Sequence, residues 1–499
     1  MANVKKPIDH SPWITLNIRF IMNKTTSKFS RDTRTEHDLI GAMEIPTASY
    51  FGIQTLRAVE NFDISRSKLH HYPQLIRGLA DVKAAAALAN KELELLNPAI
   101  ADAIVEACRE IKHGKLHDQF VVDMVQGGAG TSTNMNANEV IANRALEILG
   151  FEKGDYTHCH PNNHVNLSQS TNDAYPTALK IALYRSIGEL INALEKLIVV
   201  FREKGKEFAE VIKMGRTQLQ DAVPMTLGQE FDAFATTLEE EVSRLSQNRQ
   251  LLLETNMGAT AIGTGINSDP EYTVICTRYL AEISDIAVVA ADNLIEATSD
   301  TGVFIMNSSV IKRLAVKLSK ICNDLRLLSS GPRTGLNEIN LPPMQPGSSI
   351  MPGKVNPVIP EVVNQIAYKV IGNDLTVTMA SEAGQLQLNV MEPIIAYSLM
   401  ESIEMLINGI NTLRSKCIAG ITANQDRCKE MVLNSIGLVT ALNPYLGYED
   451  STRVATEALK TGKGVYDIVL ENKLIVQEEL DEILKPENMI RPRRINKLK

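Results

Sequence analysis

The sequence lacks several features that would assign it to a specialised class of protein. No apolar run approaches the roughly 20 residues that a membrane-spanning helix needs. The six cysteines form no CxxC pair, a scatter typical of reduced thiols rather than of a disulfide framework. Basic residues are not in excess, since 51 Lys and Arg stand against 59 Asp and Glu, for a net charge of −8. This balance argues against a general nucleic-acid binder. The composition predicts a cytoplasmic globular protein without a membrane or nucleic-acid partner.

Histidine is absent from most of the chain, because all nine histidines lie at or before His164. Three of them cluster in the segment HCHPNNH. Only His160 and His164 have the spacing of a zinc-binding pair, and no later Cys/His pair completes a set of four ligands. The sequence therefore predicts no metal site. Beyond His164, the chemistry must rest on Ser, Thr, Asn, Lys, Arg and carboxylates.

Long amphipathic helices dominate what is present. Apolar residues recur at alternating spacings of four and three in four stretches, which keeps them on one face of a helix. Their members are Leu183, Ile187, Leu190, Leu194, Leu197 and Phe201; Phe231, Ala235, Leu238, Val242 and Leu245; Leu314, Leu318, Ile321, Leu325 and Leu328; and Leu399, Ile403, Leu406, Ile410 and Leu413. Period-two alternation is nearly absent. The sequence therefore predicts an all-α fold with a central bundle of long helices and, at most, small sheets.

The length of 499 residues exceeds the roughly 250–300 at which a single core stops growing. We predict an N-terminal extension at 1–36, a helical unit at 37–168, the central bundle at 169–423 and a small helical unit with a basic tail at 424–499. The extension is expected to be disordered. A transit peptide and a true start at Met22 remain alternative interpretations of it.

Three connecting segments are rich in polar donors. Gly347–Pro357 reads GSSIMPGKVNP, in which approachable backbone amides, paired serines and a lysine can hold an anion. It is not a phosphate-binding P-loop, because Val355 stands at the Ser/Thr position. Gly127–Asn136 and Ser168–Pro176 add further hydroxyls and amides. Each of these two is also explained by helix capping. Together, the three segments favour a pocket for small carboxylates.

The segment GSSIMPGKVNP resembles the signature of the fumarase/aspartase superfamily, lyases that release fumarate. The resemblance covers nearly all of residues 37–485. Gln126–Ser132, Ser170–Pro176 and the run from Val358 to Pro393 are similar to the aspartase branch of the superfamily. Fumarases typically read SGTQSN and SQSSNDTFP in the first two of these places.

This resemblance implies the reversible anti elimination of ammonia from L-aspartate to give fumarate, a carbon–nitrogen lyase reaction through an aci-carboxylate intermediate. It implies no organic cofactor and leaves activation by a divalent metal open. The nearest alternative is a class II fumarase (fumarate hydratase). A non-catalytic homologue and a lyase for a substituted aspartate are further alternatives.

The resemblance also implies roles for individual residues. Ser348 is expected to be the catalytic base, assisted by Lys354. Gln218, where many relatives carry histidine, can only hydrogen-bond near the leaving amine. The expected substrate contacts are Thr131, Ser170, Thr171 and Ser349 for the β-carboxylate; Thr217, Lys354 and Asn356 for the α-carboxylate; and Asn172 with Thr131 for the amino group. Relatives are three-domain helical homotetramers whose active sites draw loops from three subunits, and the same assembly is expected here.

Overall fold

A computed structural model describes residues 32–491 of the chain. Met22 and the last eight residues of the predicted basic tail lie outside the described residues. Within them there are sixteen α-helices and four two-stranded sheets, which confirms the predicted all-α class. None of these helices is long and apolar enough to cross a membrane.

The helices in chain order are α1 (Ile53–Asn61), α2 (Pro73–Glu92), α3 (Pro98–Lys112), α4 (Thr131–Leu149), α5 (Thr171–Glu207), α6 (Leu227–Arg249), α7 (Tyr272–Ser284), α8 (Leu294–Ser299), α9 (Gly302–Leu328), α10 (Val358–Glu382), α11 (Glu392–Lys416), α12 (Gln425–Asn434), α13 (Val439–Thr461), α14 (Val465–Glu471), α15 (Gln477–Ile483) and α16 (Pro486–Met489). The strands are β1 (Thr33–Asp38), β2 (Gly41–Pro46), β3 (Ile212–Thr217), β4 (Gln220–Thr226), β5 (Glu254–Thr255), β6 (Val289–Ala290), β7 (Ile339–Asn340) and β8 (Thr422–Ala423). They pair as β1–β2, β3–β4, β5–β6 and β7–β8.

The long helices α5, α6, α9, α10 and α11 pack side by side as the central bundle. The four apolar stripes predicted from the sequence lie on α5, α6, α9 and α11 and face this core. Their members are buried, except for Val242, which is partly buried. Each buried leucine or isoleucine contributes about 1.5–3 kcal/mol, so the stripes account for much of the stability of the bundle.

The N-terminal unit contains the hairpin β1–β2 and helices α1 to α4. The predicted end of the extension at residue 36 lies inside strand β1, because Glu36 is held in the fold. Its side chain is 4% exposed, and Oε2 accepts a hydrogen bond from the backbone N–H of Ile53 at 2.9 Å. The local sequence around Glu36 is polar, so its composition did not indicate that Glu36 is buried in the fold.

The C-terminal helices α13 to α15 enclose a small separate core. Its buried members include Leu442, Val454, Ile468 and Leu480, and Met214 from strand β3 joins them. The hairpin β3–β4 is thereby packed against the C-terminal unit. The unit boundaries at 168/169 and 423/424 remain predictions.

Candidate active site

The loop 347–357 is organised by hydrogen bonds within itself. The Gly347 N–H donates to the Lys354 carbonyl at 2.7 Å, and Asn356 Nδ2 donates to the Gly347 carbonyl at 2.8 Å. A Cβ at position 347 would lie 2.6 Å from the Lys354 carbonyl oxygen, so this close approach requires glycine. These two hydrogen bonds hold the start of the loop at Gly347 against its end, which carries the predicted site residues Lys354 and Asn356.

Ser348 accepts two hydrogen bonds in this loop. Its Oγ receives the backbone N–H groups of Ile350 at 3.2 Å and Met351 at 3.0 Å. Two donors aimed at one hydroxyl oxygen favour its ionised form. Ser348 and Lys354 line the same cavity of about 470 Å³, which is formed by residues 343–355. Ser349 and Lys354 are exposed, and within residues 32–491 the Lys354 ammonium has no carboxylate partner.

The segment from Ser168 supplies the N-terminus of α5. Ser170 is the N-cap, and its Oγ accepts the Asn172 N–H at 3.2 Å while Asp173 accepts the Ser170 N–H at 2.9 Å. Asn172 Nδ2 donates to the Ala261 carbonyl at 2.7 Å. The capping interpretation of this segment is confirmed. Capping does not use up the hydroxyl hydrogen of Ser170, so a binding role remains compatible with it.

The segment Gly127–Asn136 is only partly a loop, because helix α4 begins at Thr131. Its N-cap is Gly130, at φ 91°, where a Cβ would lie 2.7 Å from the ring of Tyr175. The Thr131 hydroxyl donates to the Gly128 carbonyl at 2.7 Å. The N-cap residue Gly130 has no side chain, and Gln126, just before the segment, caps the helix instead, because its Oε1 accepts the backbone N–H of Thr133 at 3.0 Å. Capping by a Ser, Thr or Asn of the segment itself, as predicted, is therefore wrong. Thr131 is exposed at a helix N-terminus, where partial positive charge favours an anion.

The N-termini of α4 and α5 are joined directly. Asn134, in the first turn of α4, donates from Nδ2 to Thr171 Oγ1 at 3.2 Å. Thr131, Ser170, Thr171 and Asn172 thus occupy one region with two helix N-termini. Asn134 lies in a donor-rich segment, but its role could not be predicted from the sequence because its partner Thr171 lies 37 residues further along the chain.

Asp173 is a buried residue that the sequence analysis did not select. It is 0% exposed and also accepts the N–H groups of Gly258 at 3.2 Å and Thr260 at 3.0 Å. Burial raises the pKa of Asp173 to about 6, although these backbone donors oppose the rise. The spacing Ser170-x-x-Asp173 is a capping-box signature that could have identified it. Asp173 fastens the start of α5 to the 256–265 loop.

Thr217 and Gln218 lie at the exposed tip of a hairpin. Residues 212–226 form the antiparallel hairpin β3–β4. The turn residues Gln218 and Leu219 have φ of 54° and 62°. These values suit a tight hairpin turn, yet the turn contains none of the Asn-Gly or Asp-Gly pairs that normally signal one.

The predicted site residues therefore form three groups within one chain: the loop with Ser348, the helix N-termini with Thr171, and the hairpin tip with Thr217. The cavity lined by Ser170 is formed by residues 162–170 and 260–267 and shares no residue with the cavity of Ser348. One chain thus presents separate parts of the predicted pocket.

The histidine cluster has structural partners. His160 Nδ1 accepts the N–H groups of Asn162 and Asn163, and His164 Nδ1 accepts the His160 N–H at 2.8 Å. His158 stacks on Phe151 at 3.7 Å between ring centroids. Across the described part of the chain, no three His, Cys, Asp or Glu side chains come together as a metal-ligand set.

A family model described as Lyase matches residues 41–372, and one described as Fumarase C C-terminus matches residues 438–491. The chain belongs to this lyase family, the fumarase/aspartase superfamily, as the loop 347–357 predicted.

Curated relatives within the family carry the name aspartate ammonia-lyase. The one from Pseudomonas canavaninivorans is 62% identical over 92% of this chain and 97% of its own length. The one from Helicobacter pylori (strain J99) is 59% identical over 93% of this chain and 100% of its own length. The one from Escherichia coli (strain K12) is 56% identical over 93% of this chain and 97% of its own length. The predicted resemblance to the aspartase branch is confirmed.

Solved structures agree with the fold. A fumarate lyase:delta crystallin from Brucella melitensis bound to cobalt is 55% identical, with a TM-score of 0.90 over 92% of this chain and 100% of that one. A class II fumarase from Schistosoma mansoni is 36% identical, with a TM-score of 0.87 over 92% of this chain and 99% of that one. The predicted helical-bundle fold is therefore shared with these members of the superfamily.

Proposed function

We propose that this chain is an aspartate ammonia-lyase, which converts L-aspartate reversibly to fumarate and ammonia by anti elimination. The observation that carries the proposal is the identity of 56–62% to enzymes of that name over nearly the whole chain. The donor-rich helix N-termini and the exposed Lys354 supply the groups that a dicarboxylate substrate needs. The proposed reaction uses no organic cofactor, and a divalent metal would act only as an activator.

Ser348 is the proposed base. Its alkoxide takes the proton from Cβ, the electron pair of that C–H bond moves toward the β-carboxylate, and an aci-carboxylate forms. The two N–H groups that Ser348 Oγ accepts and the nearby Lys354 ammonium support the alkoxide. Collapse of the intermediate breaks the C–N bond, and the α-ammonium leaves as ammonia with that bond's electron pair.

The remaining residues are proposed to hold the substrate. Preorganised donors aimed at the developing charge supply the largest catalytic contribution in reactions of this kind. The β-carboxylate is assigned to Thr131, Ser170, Thr171 and Ser349, the α-carboxylate to Thr217, Lys354 and Asn356, and the amino group to Asn172 and Thr131. Thr131 must turn its hydroxyl away from the Gly128 carbonyl to serve this role. Gln218 is assigned a hydrogen bond near the amine.

A homotetramer with composite active sites is proposed as the working form. Helix α10 carries a stripe of apolar side chains at helical spacing that face solvent in one chain. They are Tyr368 (60% exposed), Ile371 (39%), Leu375 (60%) and Met379 (65%). A stripe of this kind on a bundle helix favours burial against another copy. Such an assembly would also bring the three separate groups of site residues together.

We propose a cytoplasmic location because the cysteine thiols are not joined in disulfide bonds. All six cysteines are buried and free of disulfide bonds, as expected for a protein of a reducing compartment.

The experiment that tests the proposed function compares two substrates. Purified protein is mixed with L-aspartate or with L-malate, and fumarate is followed by its absorbance. Fumarate is expected from aspartate and not from malate at a comparable rate. Fumarate from malate alone would overturn the proposal in favour of the class II fumarase, an alternative kept open by the 36% identity to the Schistosoma mansoni enzyme.

A further inference from the structure

Lys83 is a fully buried basic side chain in the middle of helix α2. It is 0% exposed, and its Nζ donates to Asn166 Oδ1 at 2.9 Å and to Gln169 Oε1 at 2.8 Å. Within residues 32–491, it has no ion-pair partner within 4.0 Å. A buried lysine without a paired carboxylate is costly and rare. Both of its partners lie in the segment that leads into Ser170.

Asn166 is the centre of this buried network. Its Oδ1 accepts hydrogen bonds from Lys83, from Asn134 Nδ2 at 3.1 Å and from Asn138 Nδ2 at 3.1 Å. Its own Nδ2 donates to the Gln169 carbonyl at 3.1 Å. These hydrogen bonds fix the orientation of the side-chain amides of Asn134 and Asn166. Lys83 is thereby connected through Asn166 and Asn134 to Thr171.

The network reaches Thr171 through Asn134, and the neighbouring Ser170 hydroxyl also accepts a hydrogen bond from the protein. Thr171 Oγ1 accepts from Asn134, and Ser170 Oγ accepts from the backbone N–H of Asn172. A hydroxyl has a single hydrogen. Within residues 32–491, neither hydroxyl donates to another protein atom, so each hydrogen can donate to an anion outside the chain.

We propose that Lys83 is a positioning residue for segment 166–172: its amine fixes Asn166 and Gln169, and through them it holds the hydroxyls of Ser170 and Thr171 as outward donors to the substrate carboxylate. The inference rests on the proposed function for the identity of that carboxylate. It does not rest on the charge of Lys83, since the ammonium and the neutral amine each supply the two N–H donors that the geometry uses.

The test compares Lys83→Met with the matched control Lys180→Met. Lys180 is also buried (6% exposed), lies on α5, and donates to the Glu254 carbonyl at 2.8 Å instead of to segment 166–172. Lys83→Met is expected to lower kcat for aspartate about 10- to 100-fold, somewhat less than loss of a direct oxyanion donor. The KM for aspartate should change less, because the donors matter most for the developing charge. Lys180→Met should keep kcat within about threefold of the wild-type value, at a similar loss in Tm.

Hydrogen–deuterium exchange of segment 166–172, read without substrate, is the second measurement. Lys83→Met should exchange faster there, and Lys180→Met should not. Lys83→Gln keeps N–H donors on a shorter side chain and is expected to have a higher kcat than Lys83→Met. It replaces Lys83→Met in these measurements if that variant does not assemble.

Three results would overturn the role of Lys83: wild-type kcat in Lys83→Met, an equal loss of kcat in the Lys180 control, or unchanged exchange of the segment. A wild type that makes no fumarate from aspartate instead refutes the proposed function, and the exchange measurement then still decides the role of Lys83.

Discussion

Arg216, the residue before Thr217 in the hairpin, donates a hydrogen bond from Nη1 to Oε1 of Glu338 at 2.7 Å. Glu338 is 0% exposed, and its other oxygen lies 2.9 Å from Lys213 Nζ. One buried carboxylate thus holds two cations of strand β3. Glu338 lies nine residues before Gly347 in the sequence, so the same stretch of chain that anchors the hairpin leads into the loop 347–357.

Replacing Glu338 by Gln should destabilise the protein and weaken substrate binding. The substitution leaves the partly buried Arg216 without a charge partner, and breaking a buried ion pair from one side costs about 3–5 kcal/mol. We expect a lower Tm at fixed protein concentration and a higher KM for aspartate. Glu106→Gln, which removes an exposed pair with Arg109, is the control and should change neither. A Glu338→Gln variant with wild-type Tm would contradict the anchoring role.

Ser348→Ala should abolish most turnover and leave the proposed tetramer intact. Loss of a general base typically lowers kcat by about 10²–10⁴-fold, and Ser348 makes no contact in the helical core. Fumarate absorbance gives the rate, and light scattering gives the mass. Ser415→Ala, which removes an exposed hydroxyl bonded to the Asn411 carbonyl, is the matched control. Near-normal activity of Ser348→Ala would refute its role as the base.

The sequence predicted the bundle well because the periodicity of a helix is local. The stripes from Leu183 to Phe201 and from Leu399 to Leu413 needed only their own spacing to be assigned. Ser348 and Lys354 were predictable as a candidate site for a similar reason, since one loop contains both. That prediction still awaits its test.

Contacts between distant parts of the chain could not be predicted in the same way. Arg216 and Glu338 are 122 residues apart, and nothing in the local pattern around either residue indicates the other. The hairpin tip at Gln218 was missed because its positive φ values are adopted by residues other than glycine, so the usual turn signal is absent. Lys83 was missed because a lysine in a helical pattern is normally solvated.

Lys354→Ala should both raise the KM for aspartate and lower kcat. The ammonium is exposed and has no carboxylate partner within residues 32–491, so its charge is available to a substrate carboxylate in the ground state and to the intermediate. Each effect is expected to be about tenfold or more, the range for hydrogen bonds to charged groups. Steady-state kinetics separates the two constants. A change in kcat alone would restrict Lys354 to the intermediate, and Lys354→Arg shows whether charge without the lysine geometry suffices.

Glu392 should make stability depend on pH between about 4.5 and 8. It is 5% exposed, and burial raises its pKa to about 8 from 4.5, although Lys180 opposes the rise. The folded state therefore binds a proton more tightly than the unfolded state. The stability from this group is fully present below pH 4.5 and is lost as the pH rises through 8. Glu392→Gln should flatten the fall of Tm across this window and leave the variant more stable than wild type at pH 8. An unchanged profile, like that expected of the exposed Glu106→Gln control, would contradict the raised pKa.

Mixing two inactive variants tests whether the active site is shared between subunits. Ser348→Ala and Thr171→Val remove groups from two of the three groups of proposed site residues, and each variant alone should be nearly inactive. If a site takes Ser348 from one subunit and Thr171 from another, co-expression at equal levels leaves about a quarter of the sites with both intact residues. The co-expressed protein should then regain about a quarter of the wild-type rate. Ser348→Ala with Lys354→Ala is the control: both changes affect the same loop, so every loop carries a defect and no activity should return. If the first mixture stayed as inactive as its parents, each site would be built from a single chain, and the composite assembly would be wrong.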